Sequence, residues 1–248
     1  MNLLDFLRLI KDSYFRNKQQ QEFDAKLFEF YSGLLNKGSK CYDIGASYGY
    51  RTEAFLKVGA SVVAVEPQKK IAKYLKKKFG NEIQLVQKAV GAKVEKRIMY
   101  LSPHSVLSSL SSEWITEVKK NNRFNNLDWE EQEEVEVTTL DKLIIDYGKP
   151  DFCKIDVEGY ELEVIKGLSQ PISLISFEFT IPEFTERAIN CIRHLEKLGN
   201  IKCNLSKGET LILNFSEWLD PHSFIEKFKT ISKSGIKDGD IYIKYLIH

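Results

Sequence analysis

Cysteine is scarce in this sequence, with four residues in 248. No two of them form a C-x-x-C pair, so the paired thiolates of common structural zinc sites are absent. Cys41 and Cys153 lie inside apolar runs, where a small hydrophobic side chain is expected to be buried. Because free buried thiols are typical of a reducing compartment, we predict a cytoplasmic protein.

A charge imbalance and a long apolar run are also missing. Lysine and arginine number 36 against 35 aspartates and glutamates, a net charge of +1 that does not favour a nucleic-acid partner. No apolar stretch approaches the roughly 20 residues needed to span a bilayer, so no membrane span is expected. The segment Met1 to Phe15 has apolar residues at helical spacing, but charges interrupt them. We expect a docking amphipathic helix rather than a signal peptide, with a membrane-surface helix as the alternative.

Strand and helix patterns alternate along the rest of the chain, from about Ser39 onward. Residues 40–44, 61–65 and 83–86 are short apolar runs, and helical periodicity follows the first two. Such alternation is typical of βαβ units with parallel strands. We therefore predict an α/β fold with a doubly wound, mostly parallel sheet over residues 39–248, preceded by a helical extension over residues 1–38.

One long segment, Ser102 to Trp129, interrupts this alternation. It contains serine pairs, a helical stretch around Glu113 to Lys120 and an asparagine-rich end. Connections of this length in compact domains are uncommon and often functional. We expect either a lid or substrate loop, or a variable surface excursion.

A glycine-containing turn, D-I-G-A-S-Y-G at residues 43–49, follows the first predicted strand. Ser47 and Tyr50 stand where the second and third glycines of a dinucleotide fingerprint would be, which disfavours a pyrophosphate-binding loop. Asp43, at the end of the strand, would repel phosphate but pair with an ammonium group. Glu66 ends the second strand about 20 residues further on, where an acid can bind ribose hydroxyls. This set suits a ligand with a ribose and an amino acid but no phosphate, and S-adenosylmethionine has that anatomy.

A third motif, K-I-D-V-E-G-Y-E-L-E at residues 154–163, places Asp156 and Glu158 at the end of a central strand. The longer run F-C-K-I-D-V-E-G-Y-E-L-E-V-I-K-G-L resembles the signature of the FkbM family of methyltransferases. The turn at 43–49, A-V-E-P at 64–67, K-A-V-G at 88–91, V-T-T-L-D-K-L at 137–143 and F-E-F-T at 177–180 occur in the order expected for that family. The resemblance covers about Lys40 to Thr180.

The resemblance implies a class I methyltransferase fold, whose seven-stranded sheet has an antiparallel last strand. It implies S-adenosylmethionine as methyl donor and, usually, O-methylation of a hydroxyl on a sugar, glycan or natural product. Asp43, Gly45 and Gly49 would line the methionine part, Glu66 would bind the ribose, and residues 87–90 would approach the adenine. The complete set of predicted cofactor-binding residues is Asp43, Gly45, Ala46, Ser47, Gly49, Glu66, Pro67, Lys88, Ala89 and Asp156.

An alcohol acceptor must lose its proton during methyl transfer, so a base within hydrogen-bond reach is expected. Asp156 and Glu158 are the predicted catalytic residues, and His104 in the long insertion is the third candidate. No metal site is assigned, although Asp156, Glu158 and Glu178 could hold a divalent cation through oxygen ligands. In the structural alternative, Glu158 caps the next helix and Glu178 pairs with Lys154.

Two other functions remain open from the sequence. One is a nucleotide-dependent oxidoreductase, which the missing glycines disfavour. The other is a degenerate methyltransferase domain that binds a ligand or partner without turnover. The expected partner of an active enzyme is a small-molecule or glycan acceptor.

Overall fold

The structure is a computed structural model that describes residues 3–124 and 127–246, with side chains from residue 18 onward. A helix begins at Leu3, but the docking face predicted for Met1 to Phe15 depends on side chains outside the described residues. The α-helices are α1 (Leu3–Ser32), α2 (Tyr50–Val58), α3 (Lys69–Phe79), α4 (Ser112–Lys120), α5 (Leu140–Tyr147), α6 (Glu161–Lys166), α7 (Thr185–Glu196) and α8 (Pro221–Ile231). The strands are β1 (Lys40–Ile44), β2 (Ser61–Val65), β3 (Ile83–Val86), β4 (Ala89–Val90), β5 (Glu95–Leu101), β6 (Glu131–Thr138), β7 (Phe152–Ile155), β8 (Leu174–Thr180), β9 (Ile201–Lys207) and β10 (Asp238–Tyr245).

Seven strands form the main sheet in the order β3-β2-β1-β7-β8-β10-β9. The neighbours from β3 to β8 are parallel, and β10 runs antiparallel to both β8 and β9. The predicted doubly wound sheet, including its antiparallel last strand, is therefore confirmed. Its strand order reverses between β1 and β7, and ligands of open α/β sheets bind at such a point, outside the carboxyl ends of the strands.

Apolar side chains cover both faces of the sheet, as its strand sequences require. On one face, Leu27 and Tyr31 of α1 and Phe55 of α2 pack against the sheet. Side chains of α5, α6, α7 and α8 form the larger core on the other face. The two helical layers hold the strand ends rigidly at the crevice between β1 and β7.

The insertion over residues 102–129 has an aromatic core of its own. Trp114 and Trp129 meet edge to face, with ring centroids 6.1 Å apart, and pack with Phe184 from the main domain. The Arg123 guanidinium lies 3.2 Å from the Glu183 carboxylate and anchors the end of the insertion. The structure therefore shows a packed segment rather than a loose polar loop.

All four cysteines are buried free thiols, in agreement with the burial predicted for Cys41 and Cys153. None of the described helices has the length and apolar character of a transmembrane span.

Candidate active site

The carboxyl ends of β1 and β7 lie against each other at the glycine turn. Gly45 has a φ of 81°, which favours glycine, and a Cβ added there would lie 1.8 Å from the Asp156 carbonyl oxygen. The glycine is thus required by the contact between two strand ends. This contact brings the turn and the K-I-D-V-E-G motif, distant in sequence, to one place.

A cavity of about 520 Å³, including space open to solvent, lies at this junction. Its volume is in the range of small-molecule sites. The predicted residues that line it are Gly45, Ser47, Glu66, Pro67, Lys88, Ala89, Asp156 and Glu158. The structure therefore brings together most of the predicted cofactor-binding residues with two of the three predicted catalytic residues.

Glu66 is the most deeply buried acid in the lining, with 2% of its surface exposed. Its carboxylate accepts hydrogen bonds from the backbone amides of Ser47, at 3.0 Å, and Gln68, at 2.9 Å. Burial raises the pKa of Glu66 to about 7, although both amide bonds oppose the rise. Each oxygen receives one amide bond, so each keeps capacity for a ligand donor.

Ser47 contributes a second polar group to the cavity. Its φ of 47° lies in the left-handed region, and its hydroxyl is buried without a hydrogen-bond partner among the described residues. Because buried hydroxyls are nearly always paired, this one is a candidate contact for a bound ligand. Glu66 and Ser47 together form a polar end in a cavity that Val65, Val90 and Met99 otherwise make apolar.

Lys154 is fully buried between two carboxylates at the end of β7. Its ammonium lies 3.0 Å from Asp156 and 2.9 Å from Asp240 on β10. Burial raises the pKa of a carboxyl, but the charge of Lys154, followed by that of Arg51, holds the pKa of Asp156 below its ordinary value. Asp156 is therefore an ionised, fixed carboxylate. The alternative in which Glu178 pairs with Lys154 is wrong, because Asp156 and Asp240 occupy that position.

Asp156, Glu158 and Glu178 form a carboxylate cluster, with ligand oxygens that all lie within 4.8 Å of one another. Burial raises the pKa of Glu158 well above its ordinary range, and the charges of Asp156 and Glu161 raise it further. Burial also raises the pKa of Glu178, with added repulsion from Glu158 and Asp156. The cluster thus combines one acidic carboxyl with two that favour protonation.

The side chain of Glu158 does not cap α6. Glu158 has a φ of 52°, and its carbonyl accepts a hydrogen bond from the Ser109 hydroxyl at 2.6 Å. The amides of Val157 and Gly159 donate instead to the Glu161 carboxylate, at 3.3 and 3.0 Å. The N-cap residue of α6 is Tyr160, and no side chain caps this helix, so the alternative in which Glu158 caps it is wrong.

Four predicted site residues do not line the cavity. Asp43 is buried and accepts a hydrogen bond from the Thr52 hydroxyl at 2.5 Å, while burial raises its pKa. Ala46 belongs to the core on the α1 side, and Gly49 begins α2. His104 is exposed at the start of a short 3-10 helix, so its side chain has no place in the cavity.

Sequence reasoning missed residues that link the insertion to the cavity. The side-chain amide of Gln68 donates a hydrogen bond to the Ser105 carbonyl at 3.0 Å and accepts one from the Ser108 hydroxyl at 3.3 Å. Gln68 lies two positions after Glu66, and this closeness in sequence to a predicted site residue could have identified it. Asp240 lies 86 positions after Lys154, and only strand pairing brings the two side chains together. No local pattern in the sequence could therefore have identified Asp240.

The chain is similar to known methyltransferases. The family model described as "Methyltransferase FkbM domain" matches residues 43–204, whereas no curated protein matches the chain significantly. Similar solved structures include a precorrin-6y C5,15-methyltransferase from Geobacter metallireducens GS-15, 10% identical with a TM-score of 0.45 over 91% of this chain and 87% of that one. A TehB-like SAM-dependent methyltransferase from Corynebacterium glutamicum ATCC 13032 Kitasato is 10% identical, with a TM-score of 0.48 over 95% and 98%. At these distances the structures assign neither substrate nor mechanism.

Proposed function

The chain belongs to the FkbM family of S-adenosylmethionine-dependent methyltransferases, and on this premise we propose that it methylates a hydroxyl oxygen of a small sugar, glycan or natural product. The observation that carries the proposal is the carboxylate cluster at the edge of the cofactor cavity. One of its carboxylates, when ionised, would accept the proton that an alcohol loses during methyl transfer. The oxidoreductase alternative is set aside because the matched family is one of methyltransferases.

The cavity residues fit S-adenosylmethionine. Glu66 would accept hydrogen bonds from the ribose hydroxyls, and the unpartnered Ser47 hydroxyl would contact the polar part of the ligand. Residues 87–90, of which Lys88, Ala89 and Val90 line the cavity, would lie beside the adenine. When bound, the cofactor supplies an electrophilic methyl group on a sulfonium.

Asp156 and Glu158 would then have different roles. Asp156, held as an anion by Lys154, orients the positively charged or hydroxyl groups beside it. Glu158, whose pKa is raised, is the stronger base when ionised and accepts the proton that the acceptor hydroxyl loses. We therefore propose Glu158, rather than Asp156, as the base.

Two further parts of the proposal concern metal and location. The three carboxylates offer oxygen ligands to a divalent cation, and loss of activity with a chelator, restored by Mg²⁺, would support that role. We also propose a cytoplasmic location, which the four free thiols support.

Methyl transfer from radiolabelled S-adenosylmethionine to a panel of sugars and hydroxylated natural products tests the proposal. We expect Glu158→Gln to lower the saturated rate by about 10²-fold or more, the scale of acid–base catalysis, with unchanged S-adenosylhomocysteine affinity. Glu163→Gln is the matched control, because Glu163 lies on α6 and pairs with Lys166 away from the cavity.

Full activity of Glu158→Gln would move the base to Asp156, and Asp156→Asn would then have to show the rate loss. Binding of S-adenosylhomocysteine without turnover on any hydroxylated acceptor would favour the degenerate binding domain.

A further inference from the structure

Glu158 and Gly159 form a turn in which both residues have a positive φ, of 52° and 83°. Glycine adopts this conformation freely, whereas for a residue with a Cβ it is unfavourable. A side-chain residue keeps it only where surrounding groups hold the backbone, and such residues are concentrated at functional sites. Glu158 lines the cofactor cavity, so the groups that hold its backbone decide where its carboxylate lies.

Ser109 provides one of these groups from the insertion. Its hydroxyl donates a hydrogen bond to the Glu158 carbonyl at 2.6 Å and accepts one from the Ser111 backbone amide at 2.9 Å. Two backbone hydrogen bonds with Tyr100, of 2.9 and 3.0 Å, join Ser109 to the end of β5. Every polar group of this fully buried serine is therefore paired, and its hydroxyl is fixed in position.

The peptide group that joins Glu158 to Gly159 is held at both of its polar atoms. Its carbonyl oxygen accepts the hydrogen bond from Ser109, and its amide donates to the Glu161 carboxylate at 3.0 Å. The Gly159 carbonyl accepts a further hydrogen bond from the Arg187 guanidinium at 2.8 Å. Because these three groups come from the insertion, α6 and α7, the orientation of the turn depends on the placement of the insertion.

We propose that Ser109 is a positioning residue for methyl transfer. Its hydroxyl holds residue 158 in the left-handed conformation that places the Glu158 carboxylate at the cavity. Ser109 does not line the cavity itself, so it acts through Glu158 and not by contact with a ligand. The inference rests on the proposed function, in which Glu158 is the base, and it gives the insertion a part in holding that base.

Melting temperatures test the hold on residue 158 without an acceptor. Glu158→Gly and Glu158→Ala both remove the carboxylate and differ only in a Cβ. Because a positive φ favours glycine, Glu158→Gly should have the higher Tm. In combination with Ser109→Ala this difference should shrink, since the backbone at residue 158 can then return to a negative φ. A higher Tm for Glu158→Ala, or an equal difference with and without the Ser109 hydroxyl, would overturn the proposal.

Methyl-transfer rates test the effect on the reaction, with the compound of the hydroxylated panel that the unmodified protein methylates. Ser109→Ala should lower the saturated rate by about tenfold or more and leave the S-adenosylhomocysteine affinity unchanged, because a small misplacement of a reacting group is costly. Glu158→Gln lacks the base, so the addition of Ser109→Ala should cause no further loss. A general structural defect would lower the rate by the same factor in both backgrounds, and that result would overturn the proposal.

Ser232→Ala is the matched control for Ser109→Ala. Ser232 is also buried, and its hydroxyl also donates to a backbone carbonyl, that of Lys229 at 2.9 Å, at the end of α8. Its loss should leave the saturated rate unchanged. Ser109→Cys keeps a side chain of similar shape with only a weak donor, and it replaces Ser109→Ala in both tests if that variant does not fold.

The inference and the proposed function fail in different ways. A normal saturated rate of Ser109→Ala, in protein that transfers methyl groups, would overturn the positioning role and leave the proposed function standing. Full activity of Glu158→Gln would overturn the choice of base and this inference together. Failure of the unmodified protein to methylate any hydroxylated acceptor would overturn the proposed function and with it the positioning role.

Discussion

The affinity for S-adenosylhomocysteine should depend on Glu66 and on its ionisation. In the folded protein this carboxylate is buried at the cavity wall, held by the amides of Ser47 and Gln68. An ionised carboxylate offers an acceptor oxygen to each of the two ribose hydroxyls, whereas the amide of Glu66→Gln keeps only one acceptor oxygen and the methyl of Glu66→Ala has none. We therefore expect both variants to bind more weakly, with Glu66→Ala weaker by at least tenfold.

The size of the effect follows from the two lost bonds. Charge-assisted hydrogen bonds contribute roughly 1.5–3 kcal/mol each, so about 3 kcal/mol is at stake at the low end. Full loss of this amount corresponds to about a hundredfold weaker binding. Water that enters the space left in Glu66→Ala would recover part of this binding free energy. Tenfold weaker binding is therefore the lower limit.

The pH dependence gives an independent measure of the same residue. Because burial raises the pKa of Glu66 to about 7, its ionised fraction falls about tenfold between pH 8 and pH 6. The affinity should fall by a similar factor over this range, and Glu66→Gln should remove that fall.

The free energy of unfolding of the ligand-free protein should decrease as the pH rises, whereas the affinity for S-adenosylhomocysteine should increase. The folded state holds a proton that the unfolded state releases between pH 4.5 and 7, so stability decreases as the pH rises through this window. The shift corresponds to a loss of about 3 kcal/mol in the free energy of unfolding. Glu66→Gln should remove this part of the pH slope, while the parts from other buried acids with a raised pKa, such as Glu158 and Glu178, should remain.

Titration calorimetry at pH 6, 7 and 8 measures the affinity, and urea unfolding at several pH values between 4.5 and 7 measures the stability. Glu82→Gln is the matched control, because Glu82 is exposed and does not line the cavity. Unchanged affinity of Glu66→Ala with a normal melt would refute the ribose assignment. An affinity independent of pH in the unmodified protein would refute the raised pKa.

Two other predictions concern the turn and the insertion. Gly45→Ala should abolish S-adenosylhomocysteine binding and lower Tm by more than Gly38→Ala. Both glycines have a positive φ, but only a Cβ at Gly45 collides with backbone. Equal decreases of Tm in the two variants would contradict the packing role of Gly45. Residues 102–124, tied to the cavity through Gln68, should gain hydrogen-exchange protection when S-adenosylhomocysteine and acceptor bind. Protection gained at residues 45–49 alone would favour the surface-excursion alternative.

Local patterns in the sequence predicted the main elements well. The predicted strands 40–44, 61–65 and 83–86 agree with β1, β2 and β3, because each is a short apolar run between polar or glycine-containing turns. The helices Leu140–Tyr147 and Pro221–Ile231 were not predicted. The first begins at Leu140, inside the V-T-T-L-D-K-L motif, which served above only as a family feature.

The roles of the acids depended on tertiary structure. Asp43, Glu66 and Asp156 lie at or beside strand ends, and the sequence predicted that all three bind the cofactor. Asp43 instead accepts a hydrogen bond from Thr52, while the other two line the cavity. Lys154 has the same local sequence whether or not Asp240 is beside it, yet that pair holds Asp156 as an anion. The proposed choice of Glu158 over Asp156 as base rests on burial and on these charges.

The sequence by itself determined most of the elements, the doubly wound sheet and the family, because periodicity and turn residues act over a few neighbouring positions. Tertiary structure decided which acids face the cavity and which are ionised. Burial and the distance between charges depend on strand order, packing angle and the placement of the insertion. These quantities exist only once segments far apart in the chain have come together.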